Sequence, residues 1–378
     1  MQLVPASTQV HPRDVLLGAQ AGGVILPVCD HYCGVEARML KSLQLQKELA
    51  EEFGTCVFDV TLDCEDGAPA GGEAEHAELV AKIASNSDIA GVNYAYTAIK
   101  KIANKHLDAQ KTSRIAVRVH APDHAAFESD IDIIVGQSSH ALCHVMIPKV
   151  ESVADIDRAV KLIDAAQKKS KVVRAQVGTH LRDKLQNKGK LPLPLHVLIE
   201  SPTAVHRAFE IAAHPRVQSL SFGLMDFVSS HAGAIPASAM GLAGQFTHPL
   251  VVRAKLAIAS ACHAHGKVPS HCVVTEFSDA DAIKNAALQA ANTLGYTRMW
   301  SIHPTQIRPI LAAFAPDAND IDLATHIITA GVDADWAPIN YQGTLHDRAS
   351  YRYYWQVLER AHQTGRAMDT SVAHFFNE

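Results

Sequence analysis

The chain has 378 residues, of which 48% are hydrophobic, and a formal charge of −5. That supports a full buried core, and without a basic footprint nucleic acid is not an expected partner. No apolar run approaches the ~20 residues of a membrane helix, and the start lacks a basic, then apolar, leader. Seven scattered cysteines, an odd number, fit reduced thiols in a cytoplasmic protein better than a disulfide framework. Cys29, His31 and Cys33 alternate at one strand end but match no zinc spacing, so core or loop roles are expected for them.

Apolar runs alternate with helical patterns along the chain. A glycine-bounded strand is predicted at 22–29, then a helix over 35–53 with Met39, Leu40, Leu43, Leu49 and Phe53 at helical spacing. The second strand spans 56–66, and a rather polar helical segment covers roughly 73–109. Strands at 114–120 and 144–150 flank a short helix near 125–135. Ser152 and Asp155 open a helix over 152–168. Residues 169–193, rich in Lys, Gln and Gly, read as a solvated insertion. LHVLIES (195–201) and SLSFGLMDF (219–227) are the fifth and sixth strands, each almost wholly apolar and each ending on one acid. A Gly- and Ala-rich loop over 228–245 is of the kind that covers sites. Helix 248–265, strand 269–277, helix 279–294, strand 298–304 and a short helix after Thr305 complete the repeat.

Eight strands, each followed by a helix, specify an α/β fold, a (β/α)8 TIM barrel. The barrel is expected over 1–315 as the catalytic domain. Residues 316–378 are expected to form a C-terminal helical extension that buries Tyr and Trp against its own barrel or a neighbouring subunit.

In such a barrel the active site lies at the C-terminal ends of the strands. Those ends carry Asp63, Glu65 and Asp66, then Arg118 and His120, Lys149, Glu200, Asp226 and His303, with His271 early in the seventh strand. Neighbouring strands lie ~4.8 Å apart, so Glu200 and Asp226 can share one site. Two carboxylates without Cys or His favour a hard ion, Mg²⁺ or Mn²⁺. Either acid alone is better explained as a helix cap or an ion-pair partner; both together favour the metal. Arg118 leaves an apolar strand and suits a carboxylate or a developing oxyanion, alone or while paired with Glu65 or Asp66. Within the acidic cluster, one member is expected to orient Arg118 or a metal-bound water, and one to face solvent. Lys149 and His303 are expected as supporting hydrogen-bonders.

Taken together, DCEDG (63–67), RVH (118–120), MIPKVES (146–152), IES (199–201), FGLMDF (222–227) and SIHPTQI (301–307) resemble motifs of a known family. It is the citrate lyase β-subunit and malyl-coenzyme A lyase group of metal-dependent aldolases, and the likeness runs from about 22 to 313, more faintly to 362. The resemblance implies a barrel in which Glu200 and Asp226 bind Mg²⁺ (or Mn²⁺). It implies a carbon–carbon lyase acting on a small 2-hydroxy or 2-oxo acid, free or as its coenzyme A thioester, through an enolate whose charge the metal and Arg118 offset. Arg118, Lys149, Asp226 and Phe227 are then the substrate-binding residues, and Arg118, Glu65, Asp66 and Asp347 the catalytic ones. Asp347 enters because related lyases take an acid from the C-terminal segment of an adjacent subunit, where this chain reads INYQGTLHDRA, with Gln342 in the acid's place. A homo-oligomer, trimer or hexamer, goes with that arrangement. Three departures stand out: His120 where the family usually has Asn, PVCDHY in place of a Pro-Gly loop, and His271 near a common Asp. A thioesterase acting on a malyl-type ester and a non-catalytic acid-binding barrel are the competing readings.

Overall fold

The computed structural model describes residues 10–18, 25–86, 113–169 and 192–376. Leu26–Phe314 forms one compact unit, and Ala315–Glu378 groups with Met1–Ile25 in another.

The larger unit is a closed barrel of eight parallel strands: β1 (Cys29–Cys33), β2 (Phe58–Asp63), β3 (Ile115–Arg118), β4 (Leu142–Ile147), β5 (Leu195–Ile199), β6 (Val217–Phe222), β7 (Val268–His271) and β8 (Arg298–Ser301). Each pairs with the next, and β8 closes on β1 with Cys29 opposite Met299. Nearly every strand residue is buried, as expected where helices cover the outside and side chains fill the inside. Outward residues such as Val117, Val145 and Val197 join the core under helices Glu36–Phe53, Val153–Lys169, Pro249–Ala264 and Pro304–Phe314.

The inward face is partly charged. Asp30 and Asp59 stand side by side on β1 and β2, at 1% and 0% exposure. The Arg298 guanidinium from β8 lies 2.8 Å from Asp30 and 2.6 Å from Asp59, and Arg114 pairs with Asp59 from below β3. Two buried acids that would repel one another are thus bound to one common cation, Arg298.

Several boundaries differ from the sequence expectation. β1 starts at Cys29 because Pro27 has no N–H for the ladder and gives its carbonyl to Arg298. β6 ends at Phe222, and LMDF opens a short helix, Leu224–Ser229. Asp226 therefore sits on a helix's first turn, not at a strand end. The helix expected over 73–109 is described as Glu73–Ser85; the rest of that prediction and most of 169–193 lie outside the described residues.

In the smaller unit, helices Ala318–Asp333 and Arg348–Gln363 flank a hairpin of β9 (Ile339–Tyr341) and β10 (Thr344–His346). Sequence reading missed this hairpin, although Gln342-Gly343, both at positive φ, is a two-residue hairpin turn. Tyr351 and Trp355 are buried within this unit against Ile327, Ile328 and the N-terminal Leu16 and Leu17. No helix among the described residues is long and apolar enough to cross a membrane.

Candidate active site

The end of β2 turns sharply into its loop, and Asp63 organises that turn. Its carboxylate accepts from the Glu65 and Gly67 backbone N–H groups at 3.0 and 2.8 Å. Gly67 is required by the close approach: a Cβ there would lie 2.3 Å from Asp63 Oδ2. The same carboxylate takes Arg118 in a two-pronged bond, Nε and Nη2 each at 2.6 Å. Arg118 Nη1 reaches Glu65 at 2.8 Å, and the guanidinium lies over the Tyr32 and Trp300 rings at 5.0 and 5.9 Å. Burial opposes the Arg118 charge, yet Asp63 and Glu65 outweigh it and hold the group above its ordinary value. Asp63 is thus the residue that aims Arg118, a role the sequence reading left open among three acids.

Glu65 is the hinge of the network. Besides Arg118 it accepts from Lys149 Nζ at 2.7 Å, while burial pushes its carboxyl up against the pull of both cations. Asp66, 62% exposed and 3.9 Å from Lys149 Nζ, is the member that faces solvent.

Lys149 also acts through its backbone. It is a non-glycine residue at φ +49, a conformation that L residues seldom adopt and that concentrates at functional sites. This turn points its N–H at Glu200 Oε1, 2.6 Å away. On the other side Gly223 lies against Glu200, where a Cβ would stand 2.3 Å from Oε2. Glu200 is therefore held from two directions by backbone. It is 6% exposed, and burial, with Asp226 second, pushes its carboxyl up to about 8. Glu200, Asp226 and Lys149 open on a cavity of about 510 Å³ together with Pro122, Asp123, Arg158 and Ser201.

The remaining expected residues lie elsewhere. Phe227 is buried against Phe222 and His231, a packing position rather than a substrate contact. His271 is sandwiched between Phe246 and Tyr296. His303 bonds Thr305 and leans on Phe277. Asp347 caps helix Arg348–Gln363, accepting from Ala349 and Ser350 N–H.

The Glu200–Asp226 pair fits a divalent ion. Burial, with the facing Asp226 second, raises the cost of ionising Glu200; a bound cation would offset it. Three-residue groupings of possible ligands occur instead inside the barrel, Asp30–His144–His196 and Asp59–Cys143–His144. There Arg298 already supplies the positive charge at both carboxylates, and burial keeps the Cys143 thiol protonated.

Residues 89–304 match the HpcH/HpaI aldolase/citrate lyase family model, more than half of the chain. The chain belongs to the HpcH/HpaI aldolase/citrate lyase family. This family member is similar to a citrate lyase from Burkholderia xenovorans LB400, 44% identical with a TM-score of 0.73, over 97% of this chain and 99% of that one. The L-malyl-CoA/beta-methylmalyl-CoA lyase of Cereibacter sphaeroides is 28% identical over 267 residues, 65% of this chain and 76% of the relative. A CitE protein from Mycobacterium tuberculosis, solved with magnesium, acetoacetate and coenzyme A, shares the fold at 18% identity. Its TM-score is 0.56, over 89% of this chain and 98% of that one.

Proposed function

We propose that this family member is a Mg²⁺-dependent carbon–carbon lyase that cleaves or forms a small 2-hydroxy or 2-oxo acid, free or as its coenzyme A thioester. The observation that carries the reading is the pair of carboxyls, Glu200 and Asp226, opening on one cavity beside an arginine aimed by buried acids. The barrel unit holds all of these residues and is the catalytic domain. Glu200 and Asp226 hold the ion, Mn²⁺ serving in place of Mg²⁺, and when bound it supplies positive charge where negative charge develops on oxygen.

The chain's own residues do the rest. Arg118 keeps its two hydrogen bonds to Asp63 while its Nη1 ion pair with Glu65 is the contact a substrate oxygen exchanges with. Glu65 then retains Lys149, so the displaced carboxylate is not left unpaired. Tyr32 and Trp300 wall Arg118 off from water on its apolar side, which strengthens its attraction for an oxyanion. A homo-oligomer, trimer or hexamer, belongs to the proposal, with Leu345 and Tyr353, 71% and 60% exposed, on its contact face.

Malyl-CoA is the first substrate to try, because the relative from Cereibacter sphaeroides is named for it. With Mg²⁺ present, the products should be acetyl-CoA and glyoxylate, the latter trapped as its phenylhydrazone. Free coenzyme A and intact malate would mark hydrolysis and overturn the lyase reading.

A further inference from the structure

A carbon–carbon cleavage of this kind requires a base for the substrate's hydroxyl proton. Glu200 and Asp226 are committed to the cation, and Glu65 and Asp63 to Arg118. A further acid–base pair stands at the same rim of the barrel.

β3 does not stop pairing at Arg118: the Val119 N–H still donates to the Met146 carbonyl at 3.3 Å. Val117 and Val119, both fully buried, face the outer helices. The chain leaves the strand after Val119, and the His120 side chain turns to Asp130 on the helix that follows β3. Just beyond, Pro122 and Asp123 line the cavity that Glu200 and Asp226 open on. His120 is thus bracketed in the chain by residues of the site.

Its imidazole is held by a carboxylate made for the purpose. His120 Nδ1 lies 2.6 Å from Asp130 Oδ2, and the same oxygen accepts the His120 backbone N–H at 2.9 Å. Asp130 is fully buried, and its other oxygen has no partner among the described residues. Asp130 sits where the helix from Phe127 passes into a π-helical turn, Ile131–Val135. Single π turns of this kind recur at functional sites, where the wider turn re-aims a side chain. An Nδ1–H donated to Asp130 fixes the tautomer and leaves Nε2 as the acceptor. Among the described residues no hydrogen bond engages Nε2. His124 stacks on the ring at 4.3 Å, and the Glu73 carboxylate feels both imidazoles; with Asp130 these are the charged and titratable groups that face His120 among the described residues.

We propose that His120, oriented by Asp130, is the base that takes the substrate's hydroxyl proton in cleavage. The inference rests on the lyase reading above. In that step Nε2 accepts the proton, and the O–H electron pair becomes the new carbonyl bond. The carbon–carbon bond breaks, its pair stays with the departing carbon, and the imidazolium returns the proton to that carbon. Condensation runs the same path backwards. The sequence resemblance implies an Asn at this position, and an amide cannot take the proton.

The test uses the full chain with Mg²⁺ saturating and malyl-CoA as substrate. His120→Asn and His120→Gln should lower kcat by roughly 10²–10⁴-fold while Mg²⁺ affinity by calorimetry stays within about twofold of wild type, and the acidic limb of the kcat/KM profile should vanish. Imidazole added to His120→Gln should restore part of the rate. Asp130→Asn should give a smaller loss with the limb retained but shifted. Wild-type kcat and an unchanged limb in His120→Gln would overturn the assignment, as would a kcat loss with the limb intact and no imidazole rescue. A wild type without turnover refutes the lyase reading and this one with it; an active wild type matched by an active His120→Gln refutes only this one.

Discussion

Adding one methyl group at Gly223 should perturb the proposed metal centre without changing either carboxyl chemically. In Gly223→Ala the new Cβ would stand 2.3 Å from Glu200 Oε2 and 2.5 Å from Glu200 Cβ, so the side chain cannot stay where it is. Its escape route is closed on the far side by the Lys149 N–H, 2.6 Å from Oε1. Moving Glu200 therefore breaks that bond, and a hydrogen bond to a charged group contributes about 1.5–3 kcal/mol. The expected result is Mg²⁺ affinity lowered roughly 10- to 150-fold, since every 1.4 kcal/mol is about tenfold. Isothermal titration with MgCl₂ reads this directly. Gly136→Ala is the control, because a Cβ there meets nothing within 4 Å. Wild-type affinity in Gly223→Ala would refute the reasoning that backbone on both sides sets the Glu200 position.

Two further expectations concern pH. Glu200 titrates near 8 in the metal-free protein because of burial and the facing Asp226, so Mg²⁺ binding must displace a proton below that pH. Affinity should fall about tenfold per pH unit below about 8, and calorimetry in buffers of different ionisation enthalpy should show proton release; a flat profile from 6 to 8 would contradict it. Burial also lowers His31 to about 4, and His144, His196 and His271 well below their ordinary value of 6.5. The unfolded chain then binds more protons than the folded one below 6.5, so the stability held above that value is lost as pH falls toward the folded values. Glu200, raised rather than lowered, binds one proton more when folded and offsets one histidine in the metal-free protein. The histidines thus make stability fall with falling pH, and the raised carboxyls oppose that trend in part. Unfolding midpoints measured without metal should drop steeply between pH 6.5 and 5, and equal midpoints at those two values would contradict it.

The barrel was legible because its signal is repetition: eight apolar runs with helices between them need few details to be right. The two acids were legible because a carboxyl at the end of an apolar run has no packing explanation. What the sequence hid were relations across the barrel. That Asp63, not Glu65 or Asp66, takes Arg118 in two bonds depends on the loop turning at Gly67. Lys149 works through its N–H as well as its side chain, and no residue-type pattern announces that. Phe227 looked like part of a site motif, yet the chain turns into a helix at Leu224 and rotates that ring into the core. Asp30 and Arg298 were passed over since strand positions were read as apolar, and their pairing spans 268 residues of sequence. His120 was noted at a strand end and as a departure but given no role, because Asp130, its partner, was hidden in a helix with no motif of its own.

Mn²⁺ can report on the metal centre through its electron paramagnetic resonance spectrum. The metal-stripped wild type should take up the ion with loss of the free-ion signal, and a 2-oxo acid such as oxaloacetate should change the bound spectrum. Glu200→Gln and Asp226→Asn should each leave the ion free at the same concentration while circular dichroism stays that of the wild type. Mn²⁺ bound with unchanged affinity and spectrum in both variants would place the metal elsewhere and contradict the account at its centre.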